Sequence, residues 1–236
     1  MNPSLNCVAV TPDGRRIMSV GQTTKLRQET KFQYGPTEVA MSEVRFWDIE
    51  TGQLVADYHG DEDYGFGYGA LSRDGQRVAV ADFSRLRILN AATGQTERTI
   101  VLPGSWGRRP EFSLDGTLVA MPIDNAIGLF EVSTGRRLHH DRCTPVGGVA
   151  SAAWSPAGDR VVIGHGDGFV RVWDAATGEL IWVKTGEQVL TLQPSDGRAS
   201  VMVFSPDGKR LFTGFGRGSA IVWNLLPGQA APTVRE

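Results

Sequence analysis

The chain has 236 residues, 41% hydrophobic and 21% charged, proportions that suit a soluble globular protein with a substantial core. A net charge of −2 gives no electrostatic case for holding a polyanion, so nucleic acid is not an expected partner. No run approaches the roughly 18 apolar residues of a membrane helix, MNPSLNCVAV lacks the pattern of a cleaved signal, and Cys7 and Cys143 make no disulfide framework, so a cytoplasmic address is expected.

From the N-terminus, an apolar run, Leu5 to Val10, leads into the turn Thr11-Pro12-Asp13-Gly14. A long polar stretch follows, and an apolar run then closes at Trp47-Asp48, with Gly52 four residues beyond the Asp. The same two marks return in strict alternation. Ser72-Arg73-Asp74-Gly75 is followed by Leu89-Asn90 and Gly94, and Ser113-Leu114-Asp115-Gly116 by Phe130-Glu131 and Gly135. Ser155-Pro156-Ala157-Gly158 is followed by Trp173-Asp174 and Gly178, and Ser205-Pro206-Asp207-Gly208 by Trp223-Asn224 and Gly228. Most steps are 41 to 43 residues, within the roughly 40–45 of one propeller blade.

The fourth unit shows its strands most plainly: Ala150 to Trp154, Arg160 to Ile163, Phe169 to Asp174 and Leu180 to Val183, the middle pair joined by Gly166-Asp167-Gly168. Short runs rich in Val, Ile, Phe and Trp between Asp-Gly turns are β-hairpin signals. Four strands cannot bury both faces alone, so each unit must stack on its neighbours through its middle strands. The expectation is all-β: five four-stranded antiparallel blades, at approximately 1–60, 61–102, 103–143, 144–190 and 191–236 of a single domain.

These marks resemble the WD-40 repeat family, and "WSPAGDRVVIGHGDGFVRVWDAATGEL" and "FSPDGKRLFTGFGRGSAIVWNL" read like family members nearly residue for residue. The resemblance spans essentially the whole chain. It implies a β-propeller, usually of seven blades, and a rigid platform for protein–protein contacts. Only two units carry Trp-Asp, and no unit carries the family's Gly-His pair, so the buried Asp-His-Ser-Trp network is not expected here. Five units leave two readings, a five-bladed ring or part of a larger propeller. Ala230 to Val234 is the expected last strand of the fifth unit.

Insertions in a repeat array map to loops, often on the binding face. Gly14 and Gly52 lie 38 residues apart, against 19 or 20 in the other units, and the extra segment, about Gln22 to Ser42, carries Lys25, Arg27, Lys31, Phe32 and Tyr34. A second insertion surrounds Gly186 to Arg198. Between the first two units runs His59-Gly60-Asp61-Glu62-Asp63-Tyr64-Gly65-Phe66-Gly67-Tyr68, acids and rings suited to a basic peptide. The next such loop holds Trp106, Arg108 and Arg109, a composition typical of interface anchors. Second-to-third-strand loops and between-blade loops emerge on one face of a propeller, so these residues are expected to share a contact surface for a protein or peptide partner. Rings packing over blade ends are the plainer alternative.

Chemistry is not expected. His139-His140-Asp141-Arg142-Cys143 sits at a strand end, where adjacent histidines point to opposite sides and rarely chelate one ion. No helix follows Gly65-Phe66-Gly67-Tyr68-Gly69 or Gly214-Phe215-Gly216-Arg217-Gly218, so neither reads as a phosphate cradle. Asp13, Asp74, Asp115 and Asp207 repeat at equivalent places, which argues for structure, because a catalytic acid is needed only once. The expectation is therefore a non-catalytic scaffold with no metal or cofactor. The alternatives are a propeller hydrolase with chemistry around the central channel, and an interaction segment of a longer enzyme.

Overall fold

A computed structural model describes residues 4–27, 37–59, 67–82, 84–102, 109–123, 126–142, 149–165, 170–175, 180–183, 187–191, 199–215 and 220–225. Among the described residues, twenty strands form five four-stranded antiparallel sheets and there is no helix. The chain packs as two compact units, Met1–Pro110 and Glu111–Glu236.

In the first unit, the first sheet is β1 (Ser4–Val10), β2 (Arg16–Arg27), β3 (Thr37–Asp48) and β4 (Leu54–His59). The second is β5 (Tyr68–Leu71), β6 (Arg77–Ala81), β7 (Arg85–Asn90) and β8 (Thr96–Val101). Both run in simple meander order. In the second unit, β9 (Glu111–Phe112), β10 (Leu118–Ile123), β11 (Ala126–Glu131) and β12 (Arg137–Arg142) form the third sheet, and β13 (Val149–Trp154), β14 (Arg160–His165), β15 (Val170–Asp174) and β16 (Leu180–Val183) the fourth. The fifth contains β17 (Glu187–Thr191), β18 (Ala199–Phe204), β19 (Arg210–Phe215) and β20 (Ala220–Asn224) in the order β17-β20-β19-β18.

The repeating turns are built from one hydrogen-bond set. In the turn after β1, the Thr11 hydroxyl donates to Asp13 Oδ1 (2.6 Å), Arg15 N donates to the same oxygen, and Arg16 N donates to the hydroxyl. Ser72 with Asp74, Ser113 with Asp115 and Ser205 with Asp207 repeat it. In the fourth sheet Ala157 replaces the acid, and the Ser155 hydroxyl donates instead to Asp159 Oδ1 at 2.7 Å. The closing glycine adopts positive φ in all five turns, for example +69° at Gly116. After Trp47, Asp48 Oδ1 accepts from Thr51 N and Thr51 Oγ1, both at 2.8 Å. Asn90 Oδ1 accepts from Ala92 N and Thr93 N in the same way. The position needs an acceptor and not a particular acid: Asn90 serves in place of Asp, and Glu131 Oε2 accepts from the Thr134 hydroxyl in the third sheet.

The middle strands supply the core, as their apolar runs imply. Within the first unit, Met18, Val20, Val44 and Phe46 pack against Val78, Val80 and Leu89 of the second sheet. Within the second unit, Leu129 of the third sheet joins Val161, Ile163 and Trp173 of the fourth, and Val162 and Val172 join Met202, Leu211 and Trp223 of the fifth. Trp47, Leu89, Phe130, Trp173 and Trp223 stand at one register position, opposite Ile17, Val78, Val119, Val161 and Leu211.

Two strand expectations need correction. Gln22 to Ser42 is not simply a loop between strands: β2 and β3 pair without interruption from Arg16↔Asp48 to Arg27↔Thr37. Unbroken pairing satisfies the backbone groups of an inserted segment better than a free loop of the same length does. The edge of β20 expected to take Ala230 to Val234 is occupied instead by β17, through Gln188↔Trp223 and Leu190↔Val222. The insertion around Gly186 to Arg198 therefore contains the outer strand of the fifth sheet, while Ala230 to Val234 lies outside the described residues.

Candidate functional site

The β2–β3 hairpin outgrows its own sheet. β1 stops pairing with β2 at Ser4↔Gln22, and β4 stops pairing with β3 at Glu43↔His59. Beyond these points Thr23 to Arg27 pairs with Thr37 to Met41 as a two-stranded ribbon, about 15–20 Å of chain at the usual strand rise. Within it Lys25 pairs with Val39 and Arg27 with Thr37. Phe32 and Tyr34 lie outside the described residues.

The ribbon's root carries a charged cluster that the repeat pattern does not mark. Glu43 is buried, and its Oε2 lies 2.8 Å from Arg45 Nη1 and its Oε1 3.8 Å from His59 Nδ1. Arg45 Nε is 3.4 Å from Asp57 Oδ1, and His59 Nε2 is 3.5 Å from Asp57 Oδ2. Four side chains from two adjacent strands therefore form one network. The signal for it was present as charges spaced i, i+2 on both runs, Glu43/Arg45 and Asp57/His59, which a pleated pair brings to one face.

The second sheet begins beside this root. Cys7 Sγ donates to the Gly69 carbonyl at 2.9 Å, and a Cβ on Gly69 would fall 2.7 Å from Val20 Cγ2. Tyr68, the first residue of β5, is exposed. At the same strand ends, the β6–β7 turn is held by Asp82, whose Oδ1 accepts from Ser84 N (2.8 Å) and Arg85 N (2.7 Å). Its Oδ2 lies 3.5 Å from the buried Arg87 Nη1. Arg109 is exposed. Tyr64, Phe66, Trp106 and Arg108 lie outside the described residues, as does most of Gly186 to Arg198, which belongs to the second unit. The structure thus sets Lys25, Arg27 and Tyr68 on strands of the first unit and does not describe the other ring-bearing candidates.

The recurrent acids are occupied. The Thr11 hydroxyl holds Asp13 below the usual carboxylate range, and Ser72, Ser113 and Ser205 do the same for Asp74, Asp115 and Asp207, each aided by a backbone N–H. Among the described residues no group of three or more His, Cys, Asp or Glu is placed to hold a metal ion. No helix there is long and apolar enough to cross a membrane.

Part of the tryptophan network expected to be missing is present. Trp47 Nε1 donates to Ser19 Oγ and Trp223 Nε1 to Thr213 Oγ1, both at 2.9 Å. The equivalent position is Val80 beside Leu89 and Met121 beside Phe130, where no donor needs an acceptor. It is Ile163 beside Trp173, whose buried Nε1 has no hydrogen-bond partner among the described residues.

Two family models match the chain. One described as outer membrane protein assembly factor BamB covers residues 40–188, and one described as WD domain, G-beta repeat covers residues 186–224. Among curated proteins, the chain is similar to WD repeat-containing protein SL1-17 of Schistosoma mansoni, 29% identical over 143 residues, which are 59% of this chain and 46% of that protein. The chain spans about half the length of the relative it matches.

Proposed function

We propose, from the premise that the chain belongs to the WD-repeat family of β-propeller proteins, that it is a non-catalytic scaffold for protein–protein contact. The observation that carries this is the β2–β3 ribbon, which extends past the described ends of both neighbouring strands and has no further strand paired to its edges among the described residues. Open edges offer backbone donors and acceptors to an incoming chain, and natural sheets usually cover or shorten them unless they are used. The proposed contact surface comprises Lys25, Arg27, Phe32, Tyr34, Tyr64, Phe66, Tyr68, Trp106, Arg108 and Arg109. The partner is a protein or peptide, not nucleic acid or a membrane, in keeping with the weak net charge. The address proposed for it is cytoplasmic.

The test is affinity capture from the cells of origin with the whole chain and with a variant in which residues 23–41 are replaced by Asn-Gly. The two-residue turn joins Gln22 to Ser42 across an existing pair and keeps the sheet. Loss of the captured protein in the shortened variant supports the reading. Undiminished capture of every partner refutes it.

A further inference from the structure

The fourth and fifth sheets enclose a groove that takes no part in the ribbon surface. It lies within the second unit, at the strand ends bearing the Ser-Pro turns, and its volume of about 890 Å³ is in the range of ligand clefts. Pro156 and Arg160 line it from the fourth sheet, and Asp207, Lys209, Arg210 and Leu225 from the fifth. A Cβ on Gly208 would stand 3.5 Å from Pro156 Cδ, so the two turns are in contact. Leu225 is buried in the apolar cluster that Val162 and Val172 share with Leu211 and Trp223, and it gives the groove an apolar floor.

The charges in the groove come from repeat positions that vary from sheet to sheet. The first residue after the turn glycine is Arg15, Gln76, Thr117, Asp159 or Lys209, and the second is Arg16, Arg77, Leu118, Arg160 or Arg210. The seam of the fourth and fifth sheets combines Arg160 with Lys209. The corresponding residues are Arg16 with Gln76 in the first unit and Leu118 with Asp159 in the second, neither a pair of cations. The acids of the groove are engaged by their own turns. Asp159 Oδ1 accepts from the Ser155 hydroxyl and its Oδ2 lies 3.6 Å from Arg160 Nε, while Asp207 Oδ1 accepts from the Ser205 hydroxyl and from Lys209 N. Asp48 stands opposite Arg16 and Asp174 opposite Arg160, and Glu97 Oε2 accepts from Arg77 Nε at 2.8 Å. Opposite Arg210 the acid is replaced by the amide of Asn224, and Glu187 is one strand further away, on β17. Among the described lining residues three cations thus meet two acids that already hold hydrogen bonds, and a cleft concentrates the field of the sign in excess.

We propose that this groove is a second contact site, separate from the ribbon, and that it takes an acidic, extended segment of a partner protein. Cations on both walls of an apolar floor fit a segment in which carboxylates flank an apolar side chain. The carboxylates meet Arg160, Lys209 and Arg210, and the apolar side chain rests on Leu225 and Pro156.

The test is fluorescence anisotropy of fluorescein-labelled Glu-Glu-Leu-Glu-Glu titrated with the whole chain at about 50 mM salt, with Gln-Gln-Leu-Gln-Gln as the uncharged reference. The expected result is saturable binding of the acidic peptide, at least about tenfold tighter than the reference and weakened at about 500 mM salt. Lys209→Glu and Arg210→Glu should each weaken it about tenfold or more at unchanged far-UV circular dichroism. Asn224→Asp, which restores the acid found opposite Arg16 and Arg160, should weaken it about threefold. Arg73→Glu makes the same charge change on an exposed turn of the second sheet and should leave binding unchanged. If Lys209→Glu unfolds, Lys209→Gln takes its place. Equal affinity for the two peptides overturns the inference, as does a loss with Arg73→Glu as large as that with Lys209→Glu. A five-nucleotide oligothymidylate that binds more tightly than the peptide, and at the same residues, overturns the assignment to a protein partner. The chain shortened at residues 23–41 should bind the acidic peptide as the whole chain does, so the ribbon and the groove stand or fall separately.

Discussion

At the scale of single residues, the repeat is specified by what each side chain must satisfy. A buried indole N–H without an acceptor costs about 1–3 kcal/mol. Trp47 and Trp223 avoid this through Ser19 and Thr213, and the sheets with Val80 or Met121 avoid it by having no tryptophan. Trp173 beside Ile163 is the exception. Ile163→Thr should therefore be no less stable in urea than Ile163→Val, although burying an unpartnered hydroxyl normally makes threonine the worse of that pair. Thr213→Val should lose about 1–3 kcal/mol by stranding the Trp223 N–H. The turn acids give a second prediction. Hydrogen bonds from Thr11, Ser72, Ser113 and Ser205 lower the folded-state pKa of Asp13, Asp74, Asp115 and Asp207 below the unfolded value. Their contribution is thus present above about pH 4 and lost as pH falls through the lower folded values. Replacing all four by Asn should flatten the fall in urea midpoint between about pH 5 and 2.

At the scale of elements, close packing between sheets decides which substitutions are tolerated. Gly69 lies on β5 where any Cβ would collide with the β-branched Val20. Gly69→Ala should destabilise the first unit by about 1–3 kcal/mol, the usual cost of overpacking. Val20→Ala in the same chain should recover part of that loss, a coupling that a double-mutant cycle in denaturant would measure. The ribbon and β17 show how far local pattern carries at this scale. The paired overhang alternates weakly: Thr-Thr-Lys-Leu-Arg and Thr-Glu-Val-Ala-Met lack the clean period of a half-buried strand, so composition marked them as a polar insertion. Pairing across the hairpin makes them strands. β17, Glu-Gln-Val-Leu-Thr, is short, and its partner β20 lies about 30 residues further on, so nothing local marked it as the fifth sheet's edge.

At the scale of the whole molecule, a repeat protein sums local units and nearest-neighbour contacts. Excision of the ribbon, residues 23–41, should leave the thermal unfolding of the remaining chain within a few degrees of the parent. The excised pairs lie beyond the described pairing of β1 and β4. A scan in which the shortened chain melts far below the parent would show that the ribbon is part of the core and not an appendage. The ribbon on which Lys25 and Arg27 lie was legible in the sequence as excess length, because its segment breaks the period. The cluster of Glu43, Arg45, Asp57 and His59 was not, because its members sit in otherwise regular strands and meet only when β3 and β4 are paired.

By itself the sequence determined the number of sheets, their phase, the turn chemistry and which strands fill the core. Those depend on glycine conformation, side-chain caps and alternation, all acting within a few residues. Tertiary structure alone decided that the first insertion extends a hairpin and that the fifth sheet takes its outer strand from upstream. Those outcomes depend on pairing and packing between segments distant in the chain, where one polar or apolar run suits several partners and only the assembled fold selects among them.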